Sequence, residues 1–139
     1  MNLRVFLRPE LRSILDAVWF PQVTALLLIK RDVAIAVFGS NSTPGFVGCY
    51  NGDLCGLGMG QCVESEDFAC SEAALVGTLL NRGATMRGTD VFLRSFPDLQ
   101  WSYVFALAGI KRLLHEHEPF DPAVKILQAN GVKVIRVNR

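Results

Sequence analysis

Val23-Thr24-Ala25-Leu26-Leu27-Leu28-Ile29 and Val33-Ala34-Ile35-Ala36-Val37-Phe38 stand on either side of Lys30-Arg31-Asp32, and this stretch decides the fold. Both runs are aliphatic and β-branched, and the polar break between them has the length of a hairpin turn, which predicts paired strands over about 23–30 and 33–38. Neither run alternates apolar with polar residues. Continuous apolar strands of this kind are covered on both faces, so helices must be found elsewhere in the chain to cover them.

Upstream, Leu11, Ile14, Leu15 and Val18 recur at three- and four-residue spacing, predicting a first helix over about 7–19 that ends before Pro21. Downstream, Ala74, Leu75, Val76, Leu79 and Leu80 predict a second helix over about 70–82, with Asn81-Arg82-Gly83 as its stop. Val91-Phe92-Leu93 reads as a short buried strand over about 90–94. Pro97 is placed to open a third helix, about 98–108, which Gly109 closes. A strand over about 110–115, a helix over about 121–129 begun by Asp121-Pro122, and a strand over about 132–137 complete the chain. Between Gly39 and about Ser65 the chain is dense in Gly, Ser, Asn and Cys with no sustained period, so an irregular segment is expected there. The order predicts one α/β domain over residues 1–139, in three α/β/α layers. Its five-stranded mixed sheet is expected to be mostly parallel, with the opening hairpin as an antiparallel edge.

The bulk properties narrow the function classes. A length of 139 residues suits one domain, and 50% hydrophobic against 19% charged residues argues against disorder. The net charge is +1 and no Lys/Arg block is present, so the electrostatic footprint of nucleic-acid binding is missing. Val23–Ile29, the longest apolar run, falls well short of the ~20 residues of a membrane span. Arg4, Arg8 and Glu10 interrupt any apolar leader. A cytoplasmic protein with neither membrane nor nucleic-acid partner is expected. Cys49, Cys55, Cys62 and Cys70 cluster in the middle of the chain, which in a reducing compartment points to metal or free thiols before disulfides.

Cys70-Ser71-Glu72-Ala73-Ala74 at the head of the second helix resembles the His/Cys-x-Glu motif of the zinc-dependent cytidine and deoxycytidylate deaminases. Gly39-Ser40-Asn41-Ser42-Thr43-Pro44 is similar to the turn that deoxycytidylate deaminases carry after their second strand. Phe96-Pro97 stands where that family has Pro-Cys-x-x-Cys, and Ala108-Gly109-Ile110-Lys111 resembles its step into the next strand. The resemblance runs from about Val23 to the end. It implies a cytidine-deaminase-like fold. In that family a zinc-bound hydroxide attacks the cytosine ring, held by one His/Cys from the second helix and two Cys from Pro-Cys-x-x-Cys.

Carried over residue by residue, the metal positions here are Cys70, Asp98 and Trp101. Aspartate can bind zinc, but an indole offers an N–H donor and no lone pair. The resemblance therefore implies a fold kept without its usual cofactor, zinc remaining the alternative if an unplaced ligand completes the site. Glu72 takes the place of the general acid/base, or serves only as a carboxylate favourable at a helix N-terminus by ~0.3–1 kcal/mol. Asn41 takes the place of a sugar-binding residue, with Thr43 in the same turn, although Asn-Ser-Thr-Pro is also ordinary turn chemistry. Glu72 and Asp98 could form an acid/base pair for a different reaction. The resemblance also implies a structural metal held by two or three of the thiols, Cys49, Cys55 and Cys62 being the candidates, with packing as small hydrophobes the alternative. His115 and His117 read as a solvated, polar pair on a loop beyond the fourth strand, a ligand pair being the alternative. Trp101 reads as filling the space of the lost metal, and the aromatic face Trp101-Tyr103-Phe105 as an oligomer interface or core.

Three functions follow from this pattern. The first is a catalytically inactive deaminase-like protein that binds a pyrimidine nucleotide or regulates a partner, as a homo- or hetero-oligomer. The second is a divergent dCMP deaminase with an atypical metal site, and the third an assembly protein that uses the fold as scaffold.

Overall fold

The computed structural model describes residues 1–14, 23–38, 46–49, 61–64, 71–81 and 83–139. Among these residues seven strands form one sheet: β1 (Val23–Ile29), β2 (Asp32–Phe38), β3 (Phe46–Cys49), β4 (Gln61–Glu64), β5 (Asp90–Leu93), β6 (Arg112–His115) and β7 (Lys133–Arg136). Their order across the sheet is β4-β3-β2-β1-β5-β6-β7. A 3-10 turn at Leu3–Phe6 leads into α1 (Pro9–Ile14), and α2 (Ser71–Asn81), α3 (Leu99–Ala108) and α4 (Asp121–Ala129) follow along the chain. The architecture is the expected mixed α/β sheet with helices on both faces.

Two features of the sheet differ from expectation. First, β3 and β4 lie within the stretch read as irregular, and they extend the sheet beyond β2 as an antiparallel pair with Val47 opposite Val63. Four-residue strands containing Gly48, Cys49 and Cys62 carry too few β-branched residues to signal themselves. Second, the opening hairpin is no edge: β1 lies between β2 and β5 and is antiparallel to both, so parallel pairing is confined to β5–β6 and β6–β7. The passage from β2 through α2 to β5 crosses over β1, which leaves β2 and β5 pointing the same way.

The hairpin turn has two residues, with Ile29 opposite Asp32, and both Lys30 and Arg31 take positive φ, 50° and 67°. Such a turn normally calls for Asn or Gly. Here the N-terminal segment holds it. The Arg31 guanidinium donates to the carbonyls of Val5 and Leu7 at 3.1 Å each, and Arg8 pairs with Asp32 at 2.8 Å.

Alternation along the strands divides the core into two layers. On one face Leu27, Ile35, Val91, Leu93 and Leu113 meet Leu75 and Leu79 of α2, Phe105 of α3 and Leu127 of α4. On the other, Leu26, Leu28, Phe92 and Leu114 meet Leu3, Phe6, Leu7 and Leu11. Each buried leucine contributes roughly 1.5–3 kcal/mol. No helix among the described residues is long and apolar enough to cross a membrane.

At the amino edge of β5 and β6, Asp90 pairs with Arg112 at 2.9 Å and the Gly88 N–H donates to the Gly109 carbonyl at 2.8 Å. Gly109 closes α3 in the left-handed region at φ 80°. The C-terminal end of α3 therefore stands at the amino edge, and its N-terminal end at the carboxyl edge. The C-terminal halves of α2 and α3 lie side by side, so the head of α2 also faces the carboxyl edge.

Candidate functional site

In open α/β sheets, ligands bind beyond the carboxyl ends of the strands, where helix N-termini converge. Here that edge gathers the ends of β5 and β6 and the heads of α2 and α3. Glu72 lies in the first turn of α2 and is 5% exposed. A carboxylate so deeply buried is uncommon on a helix surface.

Asp98 is the N-cap of α3, with extended backbone, and its carboxylate accepts the Trp101 main-chain N–H at 2.9 Å. The Asp98 carbonyl accepts both the N–H and the hydroxyl of Ser102, at 3.0 and 2.7 Å. Pro97 thus precedes the cap instead of opening the helix. Trp101 is half-buried against the core, its ring centroid 6.2 Å from that of Phe105. The expected aromatic face of α3 is divided: Phe105 is fully buried, while Tyr103 is exposed.

The histidines correct an expectation. His115 is the last residue of β6 and only 3% exposed, whereas His117 is exposed. They are not a solvated pair, because His115 continues the buried alternation of its strand two residues on from Leu113. The His115 Nδ1 atom lies 2.8 Å from the His117 carbonyl, and its ring meets Phe96 edge-on with centroids 4.9 Å apart. Burial, and secondarily the Arg136 charge, push the His115 pKa below its ordinary value, against opposing contributions from the His117 hydrogen bond and Glu118. The signal in the sequence was its place at the end of the apolar run Leu113-Leu114.

The same edge is closed by the C-terminal residues. Arg139 pairs with Glu116 at 2.7 Å and donates to the Val23 carbonyl at 2.6 Å, with its guanidinium 5.3 Å from the Phe92 ring centroid. Asn41, Thr43, Cys55 and Cys70 lie outside the described residues. The backbones of Cys49 and Cys62 lie on the neighbouring strands β3 and β4, one register step apart. Glu72, Asp98, Trp101 and His115 therefore belong to elements that meet at one edge. The remaining candidates are not placed with them. An open apolar groove of about 290 Å³ lies elsewhere, between the C-terminal halves of α2 and α3, lined by Val76, Leu79, Met86, Val104 and Ala108 among others.

No family model matches the chain, and no curated protein does. Solved structures do. The apo form of dCMP deaminase from the cyanophage S-TIM5 is 15% identical with a TM-score of 0.60, over 94% of this chain and 100% of that one. The same enzyme in complex with dCMP and dUMP is 17% identical with a TM-score of 0.57, over 94% and 99%. The likeness is one of fold: this chain has the cytidine-deaminase-like α/β fold.

Proposed function

We propose that this protein binds a pyrimidine nucleotide at the carboxyl edge of β5 and β6 and does not carry out zinc-dependent hydrolytic deamination. The observation that carries this reading is the Asp98–Trp101 cap. Two of the three positions at which the resemblance puts metal ligands hold a carboxylate engaged by a main-chain N–H and an indole without a lone pair. That donor set does not fit a zinc ion with three protein ligands and one open position. The nucleotide part of the reading rests on the fold, on the solved relative in complex with dCMP and dUMP, and on the buried Glu72 at the edge. In this reading Glu72 and the Asn41–Thr43 turn contact the nucleotide, and residues 1–139 act as one cytoplasmic domain.

A second observation favours a partner protein in addition. Helix α3 carries no charged residue, yet Leu107 is 83% and Tyr103 53% exposed, as is Leu80 of α2 at 68%. Large apolar side chains grouped on an exposed helix face are ordinarily covered by a partner. This supports a role in which the bound nucleotide or the fold itself regulates an associated subunit.

Metal analysis, a dCMP turnover assay and thermal unfolding with nucleotides test the proposal. The expected result is no stoichiometric zinc, no conversion of dCMP to dUMP, and stabilisation by a pyrimidine nucleotide of ~2.7 kcal/mol at a hundred times its dissociation constant. One zinc per chain together with turnover would show a divergent deaminase. Failure of dCMP and dUMP alike to raise the unfolding midpoint would leave the scaffold role.

A further inference from the structure

His115 is a buried ring with one nitrogen engaged. A carbonyl only accepts, so the contact from Nδ1 to the His117 carbonyl places the ring proton on Nδ1 and leaves a lone pair on Nε2. Among the described residues Nε2 has no hydrogen-bond partner. An orphaned acceptor in the interior is costly, and native structures keep one chiefly where a ligand or water completes it. Burial holds the ring neutral, which preserves that lone pair at neutral pH.

Its place in the fold is set by the register of β6 and by one ring contact. His115 lies opposite Leu93 in the β5–β6 register and two residues on from Leu113, on the face of the sheet that carries α2 and α3. Its ring touches Phe96, two residues before the cap Asp98. The ring of His115, whose Nε2 has no hydrogen-bond partner among the described residues, thus stands at the carboxyl edge, beside an aromatic ring, on the same face as Glu72 and the head of α3.

We infer that His115 is the residue by which this site distinguishes an amino-pyrimidine from an oxo-pyrimidine, Nε2 accepting a hydrogen bond from the exocyclic amino group of a cytosine nucleotide. The inference rests on the nucleotide-binding reading above. A fixed neutral acceptor favours an N–H donor at that point and sets its lone pair against the carbonyl oxygen of uracil. One such contact corresponds to about tenfold in affinity.

Calorimetric titration of the full chain with dCMP and dUMP tests it. The wild type is expected to bind dCMP about tenfold more tightly than dUMP. His115→Asn keeps an amide N–H for the His117 carbonyl and removes the atom at Nε2. It is expected to lose that preference by weakening dCMP while leaving dUMP within about twofold. Because the variant could misfold, nitrogen NMR of imidazole-labelled wild-type protein gives a second measurement: the Nε2 resonance should move with dCMP and not with dUMP. A folded His115→Asn protein with the wild-type preference, or an Nε2 resonance indifferent to dCMP in a protein that binds it, overturns the role of His115 and leaves nucleotide binding intact. Absence of binding by the wild type overturns both.

Discussion

The carboxylate of Asp98 accepts the main-chain N–H of Trp101 at 2.9 Å, so this side chain serves as the N-cap of α3. The first four N–H groups of a helix have no partner within it, and a carboxylate at the cap satisfies one of them while facing the positive end of the helix dipole.

Replacing that carboxylate has a defined cost. Asp98→Ala should destabilise the protein by about 1 kcal/mol in urea unfolding, and Asp98→Asn or Asp98→Ser should recover most of the loss. A group held in place for another purpose would not be rescued by Ser. Equal loss in all three variants would contradict the capping role.

Trp101 packs against Phe105 and the core while remaining half-buried. Trp101→Ala should cost about 2 to 3 kcal/mol, at the low end of a large-to-small core substitution because part of the ring is already solvated. Chemical denaturation monitored by circular dichroism reads this directly. A loss under about 0.5 kcal/mol would mean the indole fills no space that matters.

The lowered pKa of His115 makes stability depend on pH in a stated direction. The unfolded chain takes up a proton as pH falls through the ordinary histidine value of 6.5, while the native ring resists it. Stability is therefore complete above that value and declines as pH falls below it, by at most ~1.4 kcal/mol per pH unit from this group. Urea midpoints of the wild type and His115→Asn between about pH 5.5 and 7.5 should diverge only in the acid half of that range. Parallel curves would show that His115 titrates alike in both states.

At the opposite edge, Asp90 and Arg112 face each other in register, with side chains 8% and 28% exposed. Removing one member leaves a largely buried charge without its partner. Asp90→Ala should cost about 2 kcal/mol, less than a fully buried pair because Arg112 reaches solvent. The double variant Asp90→Ala/Arg112→Met should recover part of it, and a thermodynamic cycle over the four proteins measures the coupling.

The residues themselves made much of the fold legible. Continuous apolar runs at Val23–Ile29 and Val33–Phe38 mark strands buried on both faces, and they are β1 and β2. The three- and four-residue spacing through Leu75 and Leu79 marks one face of α2, and that face lies in the core. Such patterns are readable because burial on one side of a helix or both sides of a strand is a local demand on composition. By contrast, β3 and β4 left no periodic trace, since a four-residue strand with glycine and cysteine is stabilised by its neighbours rather than by its own preferences.

At the candidate site the division is similar. The motif around Glu72 and the position of Asp98 were visible as residues in order, whereas the engagement of Asp98 by Trp101 and the burial of His115 were not. His115 and His117 are alike in sequence and opposite in environment, because one completes β6 against Leu93 and the other stands beyond it.

By itself, then, the sequence determined which segments bury apolar surface and hence the alternation of strands and helices, because periodicity records burial residue by residue. Only the tertiary structure decided that β1 sits between β2 and β5, that two short strands extend the sheet, and that His115 is buried with Nδ1 engaged by the His117 carbonyl. Those outcomes depend on contacts between residues far apart in the chain, where the free energy comes from packing whole elements together and no local pattern encodes the choice.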